Sequence, residues 1–426
     1  MLNGLDVCDR ALPPSSPANA RPEGSQLLGS GRALAAMPSE GALLVFSSDP
    51  VPSGLREIRG ARLSQEGNYV ESCERQGDIV WSEQASGVTG RGAAALGAPR
   101  SKEHPALVAW AEEHSPSDGE IVGRMISPSG CPSSKTFSVS GEQPGYRPYT
   151  VSIASLSDDL WVVAWASLNV FDARIYLRVF ESGTSIEPEA LPTVLAPDAS
   201  PAPWKRGLPP RIEATPTGSN QFALSWLETD TLTWSVRTAW LDDRLDEYAS
   251  TTLVARGPRD ATVSNNSPVG LTAAWNGSRL LVTWAEQETA QGVRLKARVV
   301  SPTAADKGPF PIVTLGDTTA EGKPSATSGA GRFFVSWEVP VKGGTTIEAV
   351  ILDDQGQVEF ANAACGASTF PISDGQLGSQ TRPSIAWLPG GTLLSAWTEL
   401  ESEGADISGA GVRARGLTQR QILAIE

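Results

Sequence analysis

Histidine is nearly missing from this chain: His104 and His114 are the only two among 426 residues. That is too few for a histidine-rich metal centre, and no Ser-His-Asp array can be ordered around them. Both read as loop residues. No Gly-x-Ser-x-Gly elbow occurs. The nearest approach to a calcium loop, Asp353-Asp354-Gln355-Gly356, reads as a turn. Gly90-Arg91-Gly92 is too short to cradle a phosphate. No catalytic residue, metal or cofactor is therefore expected. Cysteine is scarce too, and Cys8, Cys73, Cys131 and Cys365 contain no CxxC pair, which disfavours zinc and thioredoxin-like chemistry. No apolar run approaches the roughly eighteen residues of a membrane span. Basic residues are outnumbered, Lys+Arg 34 against Asp+Glu 48, for a net charge of −14. That charge repels phosphate backbones, so nucleic acid is not an expected partner, and an anionic membrane surface is disfavoured likewise.

The first 25 residues are polar and rich in Pro, Ser and Ala, without the basic-then-apolar order of an export signal. The low lysine content and loop cysteines nevertheless suggest an extracytoplasmic protein whose export signal lies upstream. A monomer is expected.

What the chain does contain is a repeat. An apolar strand ending in an aromatic residue recurs seven times, at Phe46, Trp110, Trp165, Trp226, Trp284, Trp337 and Trp397. The spacings are 64, 55, 61, 58, 53 and 60 residues. Periods in this range mark a repeat architecture. The fifth repeat shows the internal order. Val269 to Ala274 is a short strand, Asn276-Gly277 a turn, and Arg279 to Glu286 the signature strand. Val293 to Val300 and Phe310 to Leu315 follow as third and fourth strands. Prolines cluster at the entrance to the first strand, at Pro148, Pro210, Pro268, Pro324 and Pro383, where a missing amide hydrogen does no harm.

Leu280-Leu281-Val282-Thr283-Trp284 is apolar on both strand faces, whereas a sheet with one wet face alternates. Four-stranded sheets stacked radially, each between two neighbours, meet that requirement. The predicted fold is an all-β, seven-bladed β-propeller of four-stranded antiparallel blades. Trp81 resembles an eighth signature, but it lies only 29 residues before Trp110 and suits the fourth strand of the first blade. Eight blades is the alternative count. Residues 25–426 form one propeller domain and 1–24 an N-terminal arm. The last repeat leaves only 7 residues from Arg415 to Ile422, against 14 from Arg298 to Ile312, so its fourth strand is expected from residues 25–29.

Four signature strands end in Trp-x-Glu, at Glu112, Glu228, Glu286 and Glu399. Basic residues follow in the next strand: Arg124, Arg237, Arg298, and Arg413 or Arg415. Symmetry about the hairpin turn pairs Glu112 with Arg124 and Glu286 with Arg298. These carboxylates read as cross-strand ion pairs worth about 0.2–1 kcal/mol each. The element that breaks the repeat is residues 196–210, where Trp204, Lys205 and Arg206 stand among five prolines. They form a candidate grip for a sugar ring, a peptide or an acidic group; the alternative is that Trp204 plugs the core. Cys73, Cys131 and Cys365 all fall between third and fourth strands, and the pairing expected is Cys73–Cys131 with Cys8–Cys365.

The Trp-Asp dipeptides of WD40 proteins, the Ser-x-Asp-x-Gly-x-Thr-Trp box of sialidases and the double glycines of kelch repeats are absent. The pattern of apolar-Trp-x-Glu, hairpin, Ala-Arg-Val and Gly turn resembles uncharacterised propeller repeats in exported proteins and lipoproteins of soil bacteria such as the myxobacteria. The resemblance implies the fold from about residue 32 to 426 and little about activity. The expected function is non-catalytic binding or scaffolding, with a carbohydrate or a protein or peptide as partner. The alternative is a polysaccharide hydrolase or lyase working in the central funnel.

Overall fold

The computed structural model describes residues 16–17, 26–28 and, apart from a set of connecting loops of which 196–211 is the longest, 32–423. It contains seven small antiparallel sheets and one short helix, Gln419–Leu423. The sheets are the blades of a propeller, and the count is seven. Blade five has Gly270–Trp275, Leu280–Thr289, Gly292–Val300 and Val313–Thr318 side by side in chain order. All seven signature aromatics are buried, with at most 5% of any of them exposed. Each core cluster draws on neighbouring blades. Trp161, Val163 and Trp165 of blade three, for example, pack with Ala95, Leu107 and Ala109 of blade two. Trp81 follows Ile79–Val80, which pairs with the third strand of blade one as that blade's outermost segment, so no eighth blade exists. Its ring lies flat on Gly60, where an added Cβ would sit 1.9 Å from the indole.

The turns between third and fourth strands repeat one design. Ser64, Ser127, Asp242 and Asp353 each open a turn in which the opener's amide donates to the carbonyl four residues on. The amide of the turn's fourth residue returns to the opener's carbonyl. That fourth residue, Gly67, Gly130, Leu245 or Gly356, has φ between 66° and 88°. The opener's hydroxyl or carboxylate accepts the last amide of the turn, at 2.8–3.2 Å. This is the three-residue hairpin loop with a left-handed final residue.

The ring closes by a different segment from the one expected. Blade seven receives Ser16–Pro17 as its outer strand, with Ser16 opposite Ala414 and Pro17 opposite Arg413. Gln26–Leu28 instead pairs with Ala42–Ser48 of blade one, on the same side as Leu34–Ala36. The inner strand of blade one is thus split into two pieces. Leu28 is buried there, and its amide reaches across the seam to Thr398 Oγ1 of blade seven at 3.1 Å. The chain therefore crosses blade seven before it starts blade one. The C-terminal residues 419–423 turn into the short helix, in keeping with their early arrival.

The ion pairs follow a register other than the one inferred from hairpin symmetry. The register of the second blade's signature hairpin sets Glu112 opposite Glu120 and Arg124 opposite Val108. Glu112 is held instead by Arg91 of the inner strand, with Nε 2.7 Å from Oε1. In blade five Glu286 stands opposite Arg294, and its partner is Lys296 at 3.1 Å. Glu228 pairs with Arg237 at 2.6 Å, and Glu399 with Arg413, not Arg415, at 2.8 Å. In blades four, five and seven the cation projects from the residue opposite the signature Trp and reaches diagonally to the Glu two places on. The signature indoles of blades two, four and five donate to the same carboxylates, at 3.0–3.5 Å.

Arg124, Arg298 and Arg415, displaced from that role, hold neighbouring blades together. Arg124 donates to Ser134 O of its own blade and to Trp81 O of the preceding one, at 2.9 and 2.7 Å. Arg298 repeats this on Phe310 O and Val254 O. Arg415, fully buried, reaches Ile372 O of blade six at 2.6 Å. Burial pushes its guanidinium down to about 10. A guanidinium suits this task because its planar fork serves two carbonyls at once.

Two covalent or steric locks flank blade one. Cys73, between the two outer pieces Tyr69–Val70 and Ile79–Val80 of blade one, forms a disulfide with Cys131, between the third and fourth strands of blade two. Cys8 and Cys365 lie outside the described residues. On the other side, the turn Gln65-Glu66-Gly67 lies on blade seven. Gly416 N donates to Glu66 O at 3.0 Å, and a Cβ on Gly416 would come 1.9 Å from Gln65 O.

Gly416→Ala forces the blade seven–blade one seam apart and should cost about 2–3 kcal/mol of unfolding free energy, read from denaturant titration. A change below about 0.5 kcal/mol, the usual range of a neutral surface substitution, would show that the seam is not closed in this way. The disulfide spans 58 residues of sequence, and its removal as Cys73→Ser with Cys131→Ser should cost about 4 kcal/mol by loop entropy, measured the same way under non-reducing conditions.

Candidate functional site: the axial pocket

Radial stacking brings the starts of the inner strands to one axis. There they enclose a small pocket lined by Arg32, Glu213, Leu271, Thr272, Lys323–Ala326, Arg382 and Pro383. Five blades contribute. Arg32 lies just ahead of Leu34–Ala36 in blade one, and Glu213 in Ile212–Gly218 of blade four. Thr272 belongs to blade five, Ser325 to blade six and Arg382 to Ser379–Leu388 of blade seven. The pocket holds about 30 Å³, room for a few small heavy atoms rather than a sugar ring.

Pro324 and Pro383, two of the strand-entrance prolines, form part of the wall. Each is preceded by a cation, Lys323 or Arg382. Pro383 sits at a break in the register between Thr381 and Ser384. Arg382 there takes a left-handed backbone, φ 54°, and its amide donates to Glu338 Oε1 at 2.8 Å. Its guanidinium donates to Leu28 O at 3.2 Å, bracing the split inner strand of blade one. The buried Glu338 is further satisfied by Thr319 Oγ1 at 2.6 Å.

Arg32 spans the axis. Its Nη2 lies 3.2 Å from Glu213 Oε1 and 3.4 Å from Ala273 O, joining blade one to blades four and five. Glu213 is buried, and desolvation pushes its carboxyl up to about 6, against the opposing pull of Arg32 and the Ser152 hydroxyl. Ser152 also accepts the amide of Ala214 at 2.9 Å, so it fixes the strand that carries Glu213. The lining thus holds three cations and one carboxylate in a chain of net charge −14.

The sequence-derived binding candidates Trp204, Lys205 and Arg206 lie outside the described residues. His104 faces Asp159 at 2.9 Å and His114 faces Glu120 at 3.4 Å; both histidines are half-exposed, and His114 belongs to the strand Ala106–Ser115 rather than a loop. Among the described residues no group of three or more His, Cys, Asp or Glu could hold a metal ion. The axial residues were not picked out from sequence. The available signal was a cation directly before a strand-entrance proline. Arg147-Pro148 shares it, yet Arg147 is occupied by Glu113 at 2.5 Å.

No family model and no curated protein matches this chain. Solved structures resemble it at low identity. A protein of unknown function from Dyadobacter fermentans is 11% identical, covering 79% of this chain and 98% of its own, with a TM-score of 0.44. The SapL1 lectin in complex with alpha methyl fucoside is 13% identical over 83% and 99%, with a TM-score of 0.43. An alpha-L-arabinanase of Penicillium chrysogenum complexed with arabinobiose is 12% identical over 63% and 92%, at 0.37. Likenesses this distant carry no functional weight.

The raised carboxyl sets a pH dependence. Glu213 is protonated in both folded and unfolded chains below its ordinary value of 4.5, so there it costs nothing. Above about 6 the folded state bears the buried charge, so stability falls as pH rises from 4.5 through 6, by about 2 kcal/mol. Glu213→Gln cannot ionise and should lack this loss. The wild-type-minus-variant unfolding free energy should drop by that amount between about pH 4.5 and 7. A flat difference would mean that Glu213 titrates normally.

Proposed function

We propose that this propeller is a binding module without chemistry of its own, and that its ligand, a carbohydrate or a peptide, docks on the face around the axial pocket. The observation that carries the reading is the state of the pocket's carboxylate. Glycoside hydrolysis asks for two carboxyl groups facing one cleft. The described lining offers Glu213 alone, already engaged by Arg32 and Ser152. A polar pocket with converging charged groups and no second acid suits recognition.

Trp204, Lys205 and Arg206 are proposed to contribute to the same face. Arg206 precedes Glu213 by seven residues in the chain, so the segment leads directly into the strand that lines the pocket. The Cys73–Cys131 disulfide supports an oxidising, extracytoplasmic setting. No helix among the described residues is long and apolar enough to cross a membrane.

Glycan and peptide arrays probed with the wild-type chain should retain one ligand class. Trp204→Ala should weaken that retention by up to about tenfold, as loss of an aromatic contact does, with an unchanged melting curve. Release of reducing ends or unsaturated products from a polysaccharide panel would contradict the reading and favour the enzyme.

A further inference from the structure

The turn Asn276-Gly277-Ser278-Arg279 joins the inner strand of blade five to its signature strand. Closing the hairpin takes one backbone bond, from Asn276 N to Arg279 O at 3.1 Å. The Asn276 side chain adds three more, all to one atom. Its Oδ1 accepts the Ser278 amide at 3.0 Å, the Arg279 amide at 2.9 Å and the Ser278 hydroxyl at 3.2 Å. A carboxamide oxygen has two lone pairs, so a third donor is more than the neutral group calls for. Donors converging on a carbonyl oxygen stabilise negative charge that develops there during attack on its carbon.

The groups that such an attack would use are the unbound ones. Among the described residues, neither the Gly277 amide nor Asn276 Nδ2 has a hydrogen-bond partner. Gly277 and Ser278 are exposed, so water reaches the turn. Gly277 has φ 102°, and no atom lies within 4 Å of where its Cβ would stand. Without a side chain there, nothing crowds the approach of the Gly277 nitrogen to the preceding carboxamide. Asn220 is the contrast: its Nδ2 is tied to Asp243 Oδ2 at 2.8 Å, and Gln221 follows it. The other Asn-Gly pair of the chain, Asn3-Gly4, lies outside the described residues.

We propose that Asn276 is a self-modification site, at which the turn promotes deamidation of its own asparagine with water as the only co-reactant. The Gly277 nitrogen loses its proton and attacks Asn276 Cγ, and charge gathers on Oδ1 under its three donors. Collapse completes the bond from Gly277 N to Cγ and breaks the bond from Cγ to Nδ2. The departing nitrogen takes up a proton and leaves as ammonia. One water then opens the cyclic imide. Opening at the main-chain carbonyl gives isoaspartate, and opening at the side-chain carbonyl gives aspartate; nothing is oxidised or reduced. Isoaspartate routes the main chain through the side-chain carbon, so the turn becomes longer and gains a negative charge. The turn sits at a joint between blades. Trp275 O accepts Ser328 Oγ of blade six at 2.5 Å, and Arg279 Nη1 reaches Asp354 Oδ2 of blade six at 3.1 Å. The Trp275 ring meets Trp240 of blade four edge-on, with centroids 6.2 Å apart. Conversion therefore loosens blade five against both neighbours as the protein ages.

The test is incubation of the whole folded chain in mildly alkaline buffer, followed by peptide mapping with mass spectrometry and enzymatic methylation of isoaspartate. Asn276 should convert at least about tenfold faster than Asn220. The rate should rise about tenfold per pH unit, with the anionic fraction of the Gly277 amide. The fold supplies the donors, so the native chain should convert Asn276 faster than the same chain unfolded in guanidinium. Ser278→Ala removes one donor and should slow the native rate about fivefold, less than a buried oxyanion donor would because this turn is exposed. In the isoaspartate form the amides of Asn276 and Arg279 should exchange hydrogen faster than in fresh protein. An unconverted Asn276, or one that converts no faster in the native chain than in the unfolded one, overturns the proposal. That comparison uses no substitution, so it decides the matter even if Ser278→Ala misfolds. A Ser278→Ala chain that folds and converts at the native rate would overturn the role of the hydroxyl. Unchanged exchange at Asn276 and Arg279 after conversion would overturn the loosening of the joint.

Discussion

Everything in this molecule follows from strands that have no wet face. A signature strand such as Leu280–Thr289 carries Leu281 into the core shared with blade six, while Val282 and Trp284 enter the core shared with blade four. A single blade would expose one of these surfaces, so it has no stable state alone. Burial of each large side chain contributes roughly 1.5–3 kcal/mol, and that gain is available only when a neighbour stands on each side. A closed ring is the arrangement in which no blade lacks a neighbour. Radial stacking then leaves the inner strands around an axis, and what lines their entrances becomes a site.

The polar devices are placed where this apolar stacking leaves backbone unsatisfied. The outer strands of blades one and six end at Val80 and Pro371, and the long outer strand of blade four skips Val254 at a register shift. The carbonyls of Trp81, Val254 and Ile372 near these outer strands accept arginines from the next blade. The ring closes between blade seven and blade one. It is secured by Ser16–Pro17 on the outside, Gly416 against Glu66 in the middle, and Leu28 with Thr398 and Arg382 near the axis. Segments 16–17 and 26–28 thus lie on both sides of the seam between blade seven and blade one.

Much of the architecture was legible in sequence because it is written seven times. The aromatic-ended strands, the strand order within a repeat and the fourth-strand role of Trp81 all rest on periodicity. So does the pairing of Cys73 with Cys131, since both follow the third strands of adjacent blades. What sequence could not show depends on shifts of about two residues in the centre of a turn, which move each cross-strand partner by four. Setting Glu112 opposite Glu120 rather than Arg124 passed Glu112 to Arg91, and turned Arg124 from an intrablade partner into an interblade clamp. Ring closure by Ser16–Pro17 instead of 25–29 was invisible because two residues carry no periodic signal. The axial pocket was hidden for a further reason. Arg32 and Glu213 are 181 residues apart, and only the closed ring makes them neighbours.

That separation offers the most direct check. A double-mutant cycle on unfolding free energy at about pH 8, using Arg32→Gln, Glu213→Gln and both together, reads the interaction across the axis with neighbouring contacts cancelled. A seven-bladed ring that sets these side chains 3.2 Å apart predicts a coupling of at least about 0.5–1 kcal/mol. Strict additivity of the two substitutions would contradict both the axial pairing and the ring geometry that produces it.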